Sequence, residues 1–570
     1  MVPPTEAQSR TERRTPARKG KTRGEGQWAL GYREPLNANE RSKKDDNPLN
    51  VRHRIETIYQ HGGFASIDPA DLRGRFRWWG LYTQRAEGIP GARTGTIEPE
   101  ELDASYFMMR VRVDGGALTT EQLRVIGEIS QTYARDTADI TDRQNIQLHW
   151  IRVEDVPTIW EKLEAVGLYT TEACGDCPRV LLGSPVAGVA ADEIIDATPA
   201  IKEITERYIG DKSLSNLPRK FKTAISGSPR WDTVPEINDI SLVGVVHPEH
   251  GPGFDLWVGG GLSTNPKLAV RLGAWVPIEE AAEVWHAVTS LFRDYGYRRL
   301  RHRARLKFLV DDWGAEKTRQ VIEDEYLGRK LLDGPAPETP GGHRDHLGVN
   351  PQVDGNFYVG VKSQAGRVSG STLVEIAKAA ERVGSSRVRT TVEQNLLVLD
   401  VPQQQVDGLV SDLAGLGLHS APTPWRRNVM ACTGIEFCKL AIVETKQRAI
   451  DLIGDLEQRL ADVQGDVRDP VTINLNGCPN ACARTQTADI GLKGQMVRDD
   501  EGNQVEGFQV HLGGGLGLDA GFGRKIRGHK VTSADLGDYV ERLVRNYLGQ
   551  RTDGERFAQW VARADEDALK

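Results

Sequence analysis

Asn476-Gly477-Cys478-Pro479-Asn480-Ala481-Cys482-Ala483-Arg484 is the stretch on which the reading of this chain turns. It has a companion upstream in Ala431-Cys432-Thr433-Gly434-Ile435-Glu436-Phe437-Cys438. Together they hold four of the six cysteines, spaced C-x5-C and C-x3-C and separated by forty residues. A cubane iron–sulfur cluster needs four thiolates, because each iron completes its tetrahedron with one soft, anionic sulfur. Structural zinc is the competing reading, although its pairs are usually C-x2–4-C knuckles in a small domain. Buried structural thiols are the third.

Gly477-Cys478-Pro479 also has an echo in the first half of the chain, Gly227-Ser228-Pro229. Gln394-Asn395 likewise echoes Gln144-Asn145, and Leu512-Gly513-Gly514-Gly515-Leu516 echoes Val258-Gly259-Gly260-Gly261-Leu262, at offsets of 250 to 254 residues. Predicted elements follow the same offset. Residues 106–113 read as a strand, 119–134 as a helix, 145–151 as a strand and 157–166 as a helix. Strand 357–361, helix 371–383, strand 395–399 and helix 403–416 repeat that order. The pattern predicts an α+β fold made of two large duplicated halves related by a pseudo-two-fold axis, far too long in period for a solenoid. Four cysteines then lie in the second half only, where the first carries Ser228 and Arg230.

The chain has 570 residues, 39% hydrophobic and 27% charged, so several domains and an ordinary soluble composition are expected. It contains no bilayer-length apolar run and no leader of basic and then apolar residues, which points to the cytoplasm and away from a membrane. Six cysteines in metal-like spacings suit a reducing compartment. A net charge of −7 gives no support to nucleic-acid binding. Residues 1–24 are locally basic, with Arg10, Arg13, Arg14, Arg18, Lys19, Lys21 and Arg23 against Glu6 and Glu12. Their Pro and Gly content predicts a disordered tail; an organellar transit peptide is the alternative, without an amphipathic apolar face to favour it.

Cations recur in separate segments of the first half: Arg110 and Arg112, Arg143, Arg179, then Arg219, Lys220 and Lys222 in Leu217-Pro218-Arg219-Lys220-Phe221-Lys222. Arg110 with Arg112, and Lys220 with Lys222, share a strand face by period-two geometry. Taken alone, such pairs are ordinarily solvated edges. The run Arg298 to Lys307 has three readings: a solvated helix face, a docking patch for an acidic electron donor, or further carboxylate clamps. Cys174-Gly175-Asp176-Cys177-Pro178 has a thioredoxin-like spacing without the matching βαβ context. No G-x-G-x-x-G with its acidic partner follows a strand, so electrons for a redox site have to come from another protein.

The cysteine pattern with Asn-Gly-Cys478-Pro-Asn-x-Cys482 and Pro218-Arg219-Lys220-Phe221-Lys222 resembles the sirohaem and [4Fe–4S] assimilatory sulfite and nitrite reductases over about residues 52 to 560. The resemblance implies three domains with ferredoxin-like half-domains paired in the first. It assigns a disordered basic tail to 1–51, an N-terminal wrapping segment to 52–102, the half-domains to 103–168 and 349–420, a substrate and sirohaem domain to 169–331, a connector to 332–348 and an iron–sulfur and sirohaem domain to 421–570. Cys432, Cys438, Cys478 and Cys482 would ligate the cluster, with Cys482 also the proximal ligand of the sirohaem iron. Arg110, Arg179, Lys220 and Lys222 would bind the anion and feed it protons. Arg112, Arg143, Gln144, His149, Arg219 and Asn480 would hold the macrocycle, although a lone strand histidine such as His149 is more often a core residue.

The implied activity is six-electron reduction of sulfite to sulfide with ferredoxin as donor. Nitrite to ammonia is the alternative, and an iron–sulfur carrier or redox sensor is the alternative of another class. Nitrite reductases resemble this chain in Pro-Arg-Lys but generally have asparagine where it has Lys222, and an extra ammonium favours the more highly charged sulfite.

Overall fold

A computed structural model describes residues 36–467 and 469–570. The basic segment 1–24 lies outside the described residues. Its expected extension to residue 51 does not hold, because Ala38–Asp45 is a helix capped by Asn37, whose side chain accepts from the Glu40 amide. That helix carries no apolar stripe. Glu40 and Lys43 are its buried residues, so it is held by ion pairs instead of a hydrophobic face.

The paired half-domains are built as expected, with one addition. Helix Thr120–Tyr133 opens with a capping box between Thr119 and Gln122 and buries Leu123, Ile126 and Ile129 on one face. Helix Gly370–Arg382 is its counterpart, capped by Ser369. The first sheet runs Leu81–Arg85, Asp103–Val111, Ile146–Ile151, Ala138–Ile140 and then Arg367–Val368 from the second half. The second runs Gly348–Pro351, Phe357–Lys362, Asn395–Val401, Arg387–Thr390 and then Ala117–Thr119 from the first half. Each half thus lends the other a short edge strand, in register Val388↔Leu118 and Val368↔Ala138. The two helices cross where Gly127 and Gly370 face each other. A Cβ on either would sit 2.5–2.6 Å from the other's carbonyl oxygen, so only glycine permits this approach. One apolar core, including Phe107, Leu148, Trp160, Leu396 and Leu409, joins both halves.

The remaining sheets are duplicates. Pro178–Gly183, Phe221–Ser226 and Ile240–His247 are parallel, and Gly251–Val258, Val270–Val276 and Leu332–Asp333 continue antiparallel. Val429–Ala431, Ile473–Asn476 and Ile490–Arg498 are parallel, followed antiparallel by Gln504–Leu512 and Arg524–Thr532. The expected connector 332–348 is therefore shorter, since both its ends are strand. Left-handed residues recur in step: Gln144 and Gln394, Trp150 and Asp400, Trp231 and Ala481, Val234 and Arg484. The last two pairs bracket the cysteine motif and correct its alignment. Ser228 does stand opposite Cys478, but Asp232, and not Arg230, stands opposite Cys482.

Candidate functional site

The four thiols come from two loops that follow equivalent parallel strands. Cys432 leaves strand Val429–Ala431, and its sulfur accepts from the Gly477 amide at 3.2 Å. Thr445, the N-cap of helix Lys446–Arg459, donates to the Cys432 carbonyl at 2.7 Å. Cys438 sits over the amides of Leu440 and Ala441, and Cys478 over that of Asn480. Burial, with Cys482 the next cause, pushes the Cys432 thiol up to about 12 and raises Cys438 and Cys478 as well. All three therefore feel the same fourth sulfur, which is the exposed one.

Among the described residues no three His, Cys, Asp or Glu side chains converge as the ligands of a single metal ion do. Three thiols set against backbone amides, with Cys482 beside them, supply the one thiolate per corner that a cubane takes.

His149 stands behind this loop and not in the cation pocket. It stacks on Phe437 with centroids 3.8 Å apart and faces Asp139 at 2.9 Å. Arg367 binds the same Asp139 at 2.8 Å and lies over the Phe437 ring. Its expected role as a macrocycle ligand gives way to support of the cluster loop.

The cations gather on the other side of Cys482. Phe221 points into the core against Phe292, which turns Lys220 and Lys222 together to the opposite face. Asp239 fixes this strand end, accepting the Lys222 amide at 2.8 Å and both prongs of Arg305 at 3.0 and 2.8 Å. Arg143 is anchored by Asn238 and the Val180 carbonyl. Burial, then neighbouring Arg179 and Arg110, lowers it to about 9. Burial and then Arg305 lower Lys220 to about 7, with Cys482 opposing. Lys222 is driven well down by burial, then by Arg143 and Lys220. Arg219 falls to about 10 through burial and Arg301. Among the described residues Arg110, Arg219, Lys220 and Lys222 have no side-chain hydrogen-bond or ion-pair partner. Like charges crowded together and partly desolvated form a site suited to an anionic ligand.

Two expected cofactor ligands are otherwise engaged. Arg112 lies past the end of its strand, where period-two geometry no longer applies. It grips both oxygens of Asp114 and donates to the Glu172, Pro178 and Arg179 carbonyls. Gln144 gives its amide hydrogens to Gly183 and Thr390 and accepts from the Gly183 amide. Both position the walls of the pocket. Asn480 is exposed beside Cys482, with its side chain open.

The chain covers the same ground as known proteins. Residues 174–331 and 424–570 match the description "Nitrite and sulphite reductase 4Fe-4S domain", and 100–166 and 350–416 match "Nitrite/Sulfite reductase ferredoxin-like half domain". The chain belongs to the nitrite and sulphite reductase family. It is 63% identical to "Sulfite reductase [ferredoxin] 2" of Mycolicibacterium paratuberculosis, across 98% of this chain and all of that one. An assimilatory ferredoxin-dependent nitrite reductase of Haloferax mediterranei is 37% identical across 91% of this chain and 90% of its own. The solved structure of the Mycobacterium tuberculosis NirA protein superposes with a TM-score of 0.94 at 62% identity, covering 96% of this chain and 100% of that one.

Within this family member the basic run 298–307 turns mostly inward. Arg298 pairs with Glu40, Arg301 with Asp176 and Arg305 with Asp239, while Lys307 caps the Gly261, Leu262 and Thr264 carbonyls. These are clamps on the protein's own groups, so neither the solvated-face nor the docking-patch reading describes them. Cys174 and Cys177 are free, buried thiols, and Cys177 donates to the Cys174 carbonyl at 2.8 Å.

Sequence reasoning missed Asp239 and Asp176. Asp239 had a signal, because the 250-residue offset relates it to Asp489, which likewise accepts the Thr472 amide. At the pseudo-two-fold image of the site, Glu393 stands for Arg143 and Thr472 for Lys222. The cations lining that cavity include Arg427, paired with Asp345, and Arg484, paired with Glu393. Those two cations are ion-paired within the chain, unlike Arg110, Arg219, Lys220 and Lys222 among the described residues.

Proposed function

We propose that this protein is a ferredoxin-dependent reductase that takes sulfite to sulfide with six electrons, at a sirohaem coupled to a [4Fe–4S] cluster. The observation that carries the reading is the group of unpartnered, half-buried cations beside Cys482. A cluster carrier or sensor has use for the cysteines but none for that pocket. When bound, a sirohaem and cluster would supply the one-electron redox chemistry that the six-electron reduction needs.

The chain's own residues do the rest. Cys432, Cys438, Cys478 and Cys482 would hold the cluster, with Cys482 also the thiolate offered to the sirohaem iron. Arg143, Arg219 and Asn480 face the carboxylated macrocycle, for which a guanidinium fork is well matched. Arg110, Arg179, Lys220 and Lys222 bind the oxyanion. Each oxygen that leaves as water needs protons, which the Lys220 and Lys222 ammoniums are placed to donate. That none of the six cysteines is joined in a disulfide supports a place in the cytoplasm. The expected division into paired half-domains and two cofactor-facing domains is supported by the three largest apolar cores, which are separate.

Turnover of sulfite and nitrite by the purified holoenzyme with reduced ferredoxin, measured side by side, tests the reading. Higher kcat/KM for sulfite is expected. A preference for nitrite would move the chain to the other branch, and a spectrum with cluster absorption but no tetrapyrrole bands would make it a carrier or sensor.

A further inference from the structure

Helix Ala38–Asp45 lies outside every segment matched to the family descriptions, yet it reaches the wall of the cation pocket. Lys43 is 6% exposed. Its Nζ lies 2.6 Å from Glu40 and 3.3 Å from Asp176, and donates to the Leu217 carbonyl at 2.8 Å. Arg301 forks onto the same Asp176 carboxylate at 2.5 and 2.6 Å. The Leu217 amide donates to the Asp176 carbonyl at 2.9 Å. Asp176 therefore ties together the loop that ends at Arg179 and the segment that leads into Arg219.

Asp176 is also the carboxylate whose field is felt by both Arg179 and Arg219. Arg179 is tied next to it, its Nε donating to the Gly175 carbonyl at 2.9 Å, and a carboxylate beside guanidiniums meant for anionic ligands is a competitor for them, since it offers the same oxygens. Lys43 and Arg301 draw it the other way. We propose that Lys43 is a positioning residue for the anion pocket: with Arg301 it engages the Asp176 carboxylate, so that Arg179 stays available to the oxyanion and Arg219 to the macrocycle.

This rests on the reading of the pocket as an anion site. Removing Lys43 takes a positive charge from the wall and leaves Asp176 with one outer partner fewer. Both effects weaken anion binding, and both are undone by removing the carboxylate too. A purely structural Lys43 predicts something else, because the double substitution would then be no better than the single one.

Holoenzyme carrying Lys43→Met, and Lys43→Met with Asp176→Asn, is compared with the wild type by titrating sulfite, and separately nitrite, against the cofactor absorption. Cofactor content and Tm are read in parallel. The Kd for sulfite should rise about tenfold in the single variant, the scale of one screened charge–charge interaction, and return to within about threefold of wild type in the double variant. Tm should fall in both. An unchanged Kd in Lys43→Met overturns the proposal, as does a double variant that binds as weakly as the single. Should Lys43→Met not accumulate as holoenzyme, Lys43→Gln drops the charge, keeps a donor for Leu217, and carries the same expectation. A wild type that binds neither anion would instead remove the anion-pocket reading on which this one stands.

Discussion

Replacing Lys222 by asparagine separates the two substrates. The Lys222 ammonium has no partner among the described residues and sits beside Arg143, Lys220 and Arg305. If it meets the bound anion, its loss removes one charge-assisted contact of about 1.5–3 kcal/mol, or about 10- to 150-fold in kcat/KM. The Coulomb part scales with ligand charge, so nitrite, with half the charge of fully deprotonated sulfite, should lose about half that energy, or about 3- to 12-fold. In the cofactor-free protein the effect reverses. Burial and the neighbouring cations already drive Lys222 well below its usual range, so removing it relieves repulsion and Tm should rise. Binding an anion raises that lysine again. Sulfite affinity should therefore decline as pH climbs through the bound-state value, and this alkaline limb should flatten in Lys222→Asn. The assay is ferredoxin-coupled kcat/KM for both anions across pH, with cofactor content as control. Equal losses for the two anions, or none, would refute the reasoning.

Lys220 makes the cofactor-free protein pH-sensitive. Its folded value, about 7, lies below the 10.5 of an unfolded lysine, so the unfolded chain holds the extra proton between them and stability should rise with pH across that window; urea midpoints that fall from pH 7 to 9 would contradict this. Cys482→Ser should abolish the coupled centre, because a hydroxyl is a poor ligand for either iron site. A coupled cluster signal in electron paramagnetic resonance with normal turnover would exclude the shared-ligand role. Phe437→Ala removes the ring on which His149 stacks and should destabilise the cluster loop by about 3–5 kcal/mol, visible as a lower Tm and faster iron loss on dialysis; an unchanged rate of iron loss would show that the stack does not hold the loop.

Much of this was legible in the chain because it depended on spacing. The cysteine pairs mark two loops, and the 250-residue offset announces the duplication before any coordinates. Lys220 and Lys222 flank Phe221, whose ring is buried, so both are turned from the core although Lys220 precedes the strand. The failures are equally local. Arg112 looks like a second Arg110, but the strand stops at Val111, and one residue beyond it the alternation carries no information. Gln144 and His149 are polar residues whose partners come from remote segments, Thr390 and Phe437, which no local pattern reveals. Helix Ala38–Asp45 was invisible for a related reason. Reading Ala-Asn-Glu-Arg-Ser-Lys-Lys-Asp as solvated is correct unless a distant Asp176 and Arg298 are waiting to bury it.

The exchanged edge strands bear on how the chain is made. Residues 117–119 leave the ribosome long before residues 387–389, against which they pair. Until Arg367 and Val368 emerge, the first sheet keeps a bare edge at Ala138–Ile140, open to any passing strand. The first half therefore cannot complete itself as it is synthesised, and its closure waits for a partner that arrives more than two hundred residues later. A truncated product ending between the halves should aggregate through that edge. The cofactors' shared environment, built from both halves, can form only after nearly the whole chain is out.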